Sequence, residues 1–263
     1  MKLKIKFPVA AVVLLLVVIG IALGAKPVWN LYRCITYHMG EPTPAEKTVM
    51  EYAKENHIPY GTWPQSLIDL LDRNPETEGF VLNYPNREEL ARETFSWEAE
   101  GTVPLLMQWD TRWGYKKYGS DYLAVTGCGP TCLAMAGLYL TGNEEMRPDR
   151  IAEFAQRNGY YASGYGSSWT LISEGGEKLG LSVTELPLVK KKITDALDAG
   201  NPVILAMGPG DFTSAGHYIV LTGVEESLFR VNDPNSYVNS GKLWSYEELE
   251  SQIRNIWSIS LPG

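Results

Sequence analysis

The chain has 263 residues, of which 44% are hydrophobic and 21% charged, a composition typical of a globular protein with a sizeable core. Its formal net charge is −8, and the absence of a basic block argues against a nucleic-acid partner. The sequence also lacks the HExxH zinc motif, paired CxxC motifs, a P-loop, and the GxGxxG and GxSxG patterns. We therefore expect no metal, no organic cofactor and no nucleotide.

The N-terminus carries a membrane signal. Residues 1–6 contain three lysines, and the nineteen residues 7–25 carry no charge. As a helix, that segment would reach about 28 Å, close to the thickness of the hydrocarbon core of a bilayer. Lysines ahead of the segment favour a cytoplasmic N-terminus and a body outside the cytoplasm. We predict a single-pass cell-membrane protein anchored by residues 1–25; the alternative is a signal peptide whose cleavage releases a secreted protein.

Residues 26–100 are predicted to form a helical lead or linker. Thr43-Pro44 is a helix-start pair, and apolar residues at helical spacing follow Pro64. Helices are expected at 45–56 and 65–74, a short strand at 79–84, and a further helical turn at 87–92.

Residues 101–263 are predicted to form the main domain. Its first part has helical patterns and its second part has short β-branched runs bounded by turn residues. Helices followed by antiparallel strands indicate an α+β fold. Helices are expected at 128–140, 149–157, 167–179, 190–199 and 245–254, and strands at 202–207, 217–224, 228–232 and 256–261.

Cys128 is a candidate nucleophile. It lies in Gly127-Cys128-Gly129-Pro130, where a loop becomes a helix. Unpaired backbone N–H groups and the positive end of the helix dipole stabilise a thiolate at such a position. An exported protein with three cysteines must leave at least one of them without a disulfide partner. Cys132, one turn further along the helix, is interpreted as a thiol buried in the core.

His217 is a candidate general base. It begins the first strand of a hairpin whose turn is centred on Glu225 or Glu226, which places either Asp233 or Asn235 opposite the imidazole. Both alternatives lie on the same face as His217, because strand side chains alternate. The hairpin therefore supplies a third group that can hold the imidazole in one tautomer.

Gln108 is a candidate oxyanion donor. Acyl transfer needs N–H groups directed at the developing negative charge, and the Gln108 amide together with the Cys128 backbone N–H would provide them. Trp109 and Trp113 are interpreted as packing residues.

Four segments, taken together, resemble the bacterial cysteine peptidases related to bacteriocin-leader-processing proteases, the peptidase family thirty-nine-like group with a papain-like fold. They are QWDTRWG at 108–114, GCGPTCLAMAGLYLTG at 127–142, AGHYIVLTG at 215–223 and VNDPNS at 231–236. The resemblance implies that Cys128 is the nucleophile, His217 the base, Asp233 the orienting acid and Gln108 the oxyanion-hole amide. It also implies a papain-like domain at 101–263, with a helical half that carries the nucleophile and a half built on an antiparallel sheet.

The expected reaction is hydrolysis of a peptide or isopeptide bond through an acyl-enzyme, on a peptide or protein substrate outside the cytoplasm. Two alternatives stay open. One is a catalytically inactive papain-like module that binds peptides, and the other is an acyl transferase that uses the same three residues. Because the chain lacks the P-loop of an ATP-driven exporter, processing of a bacteriocin leader is not expected.

Overall fold

A computed structural model describes residues 41–97, 101–164 and 166–263, and the chain divides into two compact units at Ile58. The segment predicted to cross the membrane, residues 7–25, and Cys34 lie outside the described residues. Within those residues, none of the helices combines the length and apolar character that a bilayer crossing needs.

The described part of the first unit is one helix, α1 (Pro44–Glu55). Thr43 caps it, because its hydroxyl accepts a hydrogen bond from Glu46 N (3.2 Å) while Glu46 Oε2 accepts one from Thr43 N (2.9 Å). The reciprocal cap and Pro44 in the first turn confirm the helix start predicted from sequence.

Helices of the second unit follow the predicted order, with some corrections. They are α2 (Gln65–Arg73), α3 (Glu78–Leu82), α4 (Arg87–Leu90), α5 (Leu123–Thr126), α6 (Cys128–Thr141), α7 (Pro148–Arg157), α8 (Ser173–Lys178), α9 (Lys190–Asp198), α10 (Tyr237–Ser240) and α11 (Tyr246–Glu250). Gly142 ends α6 in the left-handed conformation (φ 64°), which glycine adopts without strain.

The strands are β1 (Lys117–Tyr118), β2 (Asp121–Tyr122), β3 (Tyr161–Ala162), β4 (Gly166–Ser167), β5 (Ser182–Glu185), β6 (Val203–Met207), β7 (His217–Glu225), β8 (Leu228–Asn232), β9 (Leu243–Trp244) and β10 (Ile253–Ser260). Six of them form an antiparallel sheet in the order β5-β10-β6-β7-β8-β9. Two-residue ribbons β1-β2 and β3-β4 stand apart from it.

The central strands are buried on both faces because their alternate side chains enter two different cores. Ile204 and Val220 belong to the core that contains α6 and α7, whereas Leu205 and Ile219 belong to the core that contains α9 and α11. This explains why β6 and the first part of β7 read as continuous apolar runs. The fold is a mixed α/β arrangement of a sheet with helices.

Three of the predicted elements were wrong in type or extent. Residues 79–84 were expected to be a strand, but α3 covers 78–82, since Phe80 and Val81 are buried together and Phe80 stacks on Tyr115 at 4.2 Å. The helix expected at 245–254 ends at Glu250, and β10 begins three residues later. The helix expected at 167–179 is divided into the end of β4, a 3₁₀ turn and α8.

Candidate active site

Cys128 is the first residue of α6 and is half-buried. Pro130 fits the first turn because a proline there sacrifices no intrahelical hydrogen bond. At Gly129, a Cβ atom would lie 2.7 Å from Ser167 Oγ, so only glycine lets the β4 ribbon approach the start of the helix this closely. The candidate nucleophile therefore lies at the N-terminus of a helix, with the β4 segment packed beside it.

His217 is the first residue of β7, pairs with Met207 of β6, and is only 8% exposed. Its Nε2–H donates to Asp233 Oδ1 at 2.7 Å, and the imidazole and the Cys128 thiol line one cleft. Because the carboxylate engages Nε2, Nδ1 is the ring nitrogen left for the thiol. The starts of a strand and a helix thus bring His217 and Cys128 together, and the loop after β8 adds Asp233.

Opposing effects set the pKa of His217. Burial lowers it, but the Asp233 charge, the hydrogen bond to Asp233 and the nearby Cys128 thiol outweigh burial and raise the pKa to about 10. An imidazole with so high a pKa is protonated at neutral pH and can stabilise a thiolate beside it.

Asp233 is 1% exposed and is oriented by several donors. Besides His217, Oδ1 accepts from Asn235 N (2.8 Å), and Oδ2 accepts from Asn239 Nδ2 (2.9 Å). Its own backbone N–H donates to Ser240 Oγ at 2.9 Å. A buried carboxylate with this many donors is held in one orientation.

The hairpin explains how Asp233, rather than Asn235, reaches the imidazole. Its turn is formed by Glu226 and Ser227, both with positive φ, and the ladder shifts register between Leu221 and Gly223. Beyond the shift, Val220 pairs with Asn232 and the ladder ends there. The chain then turns at Asp233, which bridges to Ser236, so the contact with His217 is made by a loop and not by a cross-strand pair.

Gln108 is buried beside the loop that carries Asp233. Its backbone N–H donates to Pro234 O (2.7 Å), and its Nε2 donates to Ala124 O (2.7 Å). An amide nitrogen has two hydrogens, so one N–H stays available while the other fixes the side chain to α5. Trp109 Nε1 donates to Asn235 O (3.2 Å) and Trp113 Nε1 to Met107 O (2.8 Å), so both indoles are used in packing this region.

Cys128 and His217 open into a cleft of about 280 Å³. Its other lining residues come from the β4 region, from β6 and the loop after it, from β7 and from β10: Ser167, Trp169, Ala206, Met207, Gly208, Pro209, Ala215, Gly216, Tyr218 and Arg254. The Trp169 indole on the wall of this cleft is 50% exposed, whereas Tyr160, nine residues earlier in the chain, is buried in the core.

A larger cavity of about 630 Å³ lies near the other end of α6 and is bordered by Tyr139, Thr222 and Arg230. Among the described residues that line it, none is a cysteine or a histidine. We assign the candidate site to the smaller cleft, because it contains the only thiol–imidazole pair in the described part of the chain.

Cys132 has no solvent exposure and packs in the core with α6 and α7, as predicted. Burial raises the pKa of its thiol well above the ordinary value, and the neighbouring Cys128 and Asp233 add to this effect. Both Cys128 and Cys132 are free thiols. In the described ranges, no cluster of three histidine, cysteine, aspartate or glutamate side chains is arranged to hold a metal ion.

Sequence reasoning missed several residues around the site. Asn239 and Ser240 support Asp233 from α10, and Asn74 and Glu76 hold the same loop from a turn about 160 residues earlier. Asn239 lies within six residues of Asp233, so a search for local amide donors would have found it. No local pattern points from residue 74 to residue 235.

The sequence model of the Peptidase_C39-like family matches residues 100–260. The chain belongs to this family. The match includes Cys128, His217, Asp233 and Gln108 and leaves out the segment before residue 100.

The solved structures that are similar to the chain include two that are described as peptidases. One is the peptidase domain of Streptococcus ComA, described as a bifunctional ABC transporter involved in a quorum-sensing pathway, with 21% identity over 52% of this chain and 93% of that chain (TM-score 0.41). The other is a C39-like peptidase from Bacillus anthracis, with 15% identity over 63% of this chain and 98% of that chain (TM-score 0.43). No curated protein matches the chain.

Proposed function

We propose that this chain is a cysteine peptidase that hydrolyses peptide or isopeptide bonds through a Cys128–His217–Asp233 triad on a papain-like arrangement. The observation that carries the proposal is a single imidazole that is hydrogen-bonded to the buried Asp233 carboxylate and lines one cleft with the thiol at the start of α6. Family membership agrees with this chemistry.

In the proposed reaction, the Cys128 sulfur attacks the substrate carbonyl carbon and forms a C–S bond. The oxyanion is stabilised by the Cys128 backbone N–H, which lies in the first helical turn, and by the free N–H of Gln108. The C–N bond then breaks, and the leaving amine takes a proton from the His217 imidazolium. Water, deprotonated by His217, hydrolyses the thioester and restores the thiol–imidazole pair.

We also propose that residues 7–25 anchor the protein in the cell membrane with the catalytic domain outside the cytoplasm. The support is the uncharged segment preceded by lysines, and the alternative is release after signal cleavage. Substrates would then be peptides or proteins on the outer side.

The decisive experiment is the pH dependence of alkylation of each cysteine in the full chain, followed by peptide mapping. We expect Cys128 to react rapidly below pH 7, because the His217 imidazolium stabilises its thiolate. Cys132 is the internal slow reference, since it is buried.

His217→Asn is expected to abolish the reaction below pH 7. His57→Asn is the matched control, because His57 has a positive φ (57°) that asparagine tolerates. Alkylation of Cys128 that only begins near pH 8.5, as for an ordinary thiol, would contradict the thiolate–imidazolium pair. The chain would then be better described as a peptide-binding module.

A further inference from the structure

A short turn at residues 74–77, which precedes the family-matched region, is hydrogen-bonded to the loop that carries Asp233. Asn74 Nδ2 donates to Asn235 O at 2.6 Å. The two carboxylate oxygens of Glu76 accept from Ser236 Oγ (2.6 Å) and from Tyr237 N (2.7 Å). Three successive residues of the loop are therefore tied to one turn between α2 and α3.

The turn is itself rigid, so it can serve as a fixed support. Asn74 Oδ1 accepts from Glu76 N (3.1 Å), and Thr77 Oγ1 donates to Asn74 O (2.7 Å). Pro75 restricts the backbone between the two gripping residues. Both atoms of the buried Asn74 amide are thus used, the oxygen to shape the turn and the nitrogen to hold the loop.

The loop that is held is also the one that orients the carboxylate. Ser236 Oγ, which donates to Glu76, accepts from Asn239 N (3.1 Å). Asn239 Nδ2 in turn donates to Asp233 Oδ2, and the gripped Asn235 donates its N–H to Oδ1. A continuous path of hydrogen bonds therefore runs from Glu76 to the carboxylate that bonds His217.

We propose that Asn74 and Glu76 are positioning residues for Asp233, so that the segment before residue 100 completes the active site of the matched domain. The inference rests on the proposed function, because positioning Asp233 matters only if Asp233 belongs to the catalytic triad. It assigns to this segment a role beyond the helical lead or linker predicted from its sequence.

The test is an NMR titration of the His217 ring in the full chain, which has only three histidines. In Glu76→Gln, one amide oxygen replaces the two carboxylate oxygens, so the loop loses one of its two hydrogen bonds to residue 76. The Asp233 carboxylate then shifts and stabilises the His217 imidazolium less. We expect the pKa of His217 to fall by about 0.5 to 1. Glu78→Gln, an exposed glutamate at the start of α3, is the matched control and should leave the titration unchanged.

Ser236→Ala provides an independent variant if Glu76→Gln does not fold. The double variant should shift the titration by less than the sum of the two single shifts, because both variants remove the Glu76–Ser236 hydrogen bond. An unchanged His217 titration in folded variants, or additive shifts in the double variant, would overturn the proposal. The readout does not depend on peptidase activity, so failure of the proposed function would be seen separately, in alkylation of the unaltered chain.

An independent feature is the charge on the cleft wall. Arg254 lines the same cleft as Cys128, and its Nη1 donates to Ser251 O and Ile253 O, both at 3.0 Å. The guanidinium lies against Gly208, where a Cβ would come within 2.5 Å of Nε. Within the described ranges, Arg254 has no carboxylate partner within 4.0 Å. An oriented cation without a partner, beside a nucleophile, is suited to recognise an anion.

We infer that Arg254 forms a subsite for a carboxylate of the substrate peptide, either an acidic side chain or a C-terminus. This deepens the proposed function by specifying a substrate peptide that places a carboxylate in the cleft. The exposed Trp169 indole lines the same cleft and offers an apolar surface to the peptide beside this charge.

The probes are iodoacetate and iodoacetamide, which alkylate thiols and differ in charge. The ratio of their rates at Cys128 is measured in the full chain at pH 9.5, where an ordinary thiol is also ionised. The charge of His217 is the same in all the chains compared, so it does not affect the difference between them. We expect Arg254→Gln to lower the iodoacetate-to-iodoacetamide ratio by about threefold to tenfold. Arg157→Gln, an exposed arginine of α7, should leave it unchanged. An equal ratio in Arg254→Gln and the unaltered chain would overturn the inference.

Discussion

The Asp233 carboxylate shows how individual residues determine the candidate site. It is buried, yet each of its oxygens has a donor, and the imidazole supplies only one of them. A carboxylate that is fully satisfied cannot rotate without losing hydrogen bonds in a region that water does not reach. The residues that hold Asp233 therefore also fix the orientation of the His217 ring.

The sulfur of Cys128 is expected to be essential for turnover. Cys128→Ala removes the nucleophile and little volume, so peptidase activity should fall below about a hundredth of the unaltered value while the unfolding temperature changes little. Steady-state assays on a peptide library and thermal unfolding check this. Residual activity above that level would contradict the assignment of Cys128 as the nucleophile. Cys132→Ala is the control for loss of a thiol.

Asp233 and Asn235 are expected to differ sharply in importance. Asp233→Ala leaves a buried imidazole unpaired and should lower activity by about 10²- to 10⁴-fold. Asn235→Ala should cost less than about threefold, because alanine retains the backbone N–H that bonds Asp233 and the carbonyl that accepts from Asn74 at 2.6 Å. Only the longer contact of Asn74 with Asn235 Oδ1, at 3.4 Å, is lost. The comparison is made by kcat/KM on one peptide. A larger loss in Asn235→Ala would show that the third member is misassigned.

At the scale of elements, the site depends on the ends of a helix and a strand and on the β3-β4 ribbon. The ribbon reaches Cys128 because two glycines remove side chains from the contact. Gly129 faces Ser167, and at Gly166 (φ 83°) a Cβ would lie 2.8 Å from Thr126 O. Close backbone approach of this kind needs glycine at both positions.

Gly166→Ala is expected to destabilise the fold, because it combines a positive φ with a collision against backbone. Gly164→Ala is the matched control, with a similar φ (80°) and open space around the added methyl group. We expect Gly166→Ala to lower the free energy of unfolding by about 1 to 3 kcal/mol more than Gly164→Ala. Denaturant unfolding of both variants measures the difference, and equal losses would show that the close contact has no cost.

For the whole molecule, the His217–Asp233 pair links stability to pH. The pKa of His217 is about 10 in the folded protein, above the ordinary 6.5, so the folded state keeps a proton that the unfolded chain releases. This contribution to stability is complete below about pH 6.5 and is lost as the pH rises towards 10.

We therefore expect the free energy of unfolding of the unaltered chain to fall between pH 6.5 and pH 9.5, and to fall less in His217→Asn. Denaturant unfolding at the two pH values, with His57→Asn as the control, measures this difference. The same pH slope in His217→Asn and in the unaltered chain would contradict a raised His217 pKa.

Much of the second unit could be predicted because its signals are local. Helix α6 begins at a Gly-Cys-Gly-Pro turn and ends at Gly142, and the hairpin of β7 and β8 follows from β-branched runs around a short turn. The segment at 79–84 was misread because its β-branched and aromatic residues indicate a strand, while burial of Phe80 and Val81 favours a helix. The residue types at 79–84 do not by themselves show which of these side chains are buried.

By itself, the sequence determined that the thiol lies at a helix start, that His217 begins a strand, and that Asp233 and Asn235 follow the partner strand. These features depend on neighbouring residues and on fixed helix and strand periodicities. Only the tertiary structure decided that the Asp233 side chain contacts the imidazole, that a register shift and a loop bring it there, and that Glu76 grips this loop from about 160 residues away. Such contacts join distant segments whose relative position is set by burial of the two cores, and packing of that kind leaves no pattern in the nearby residues.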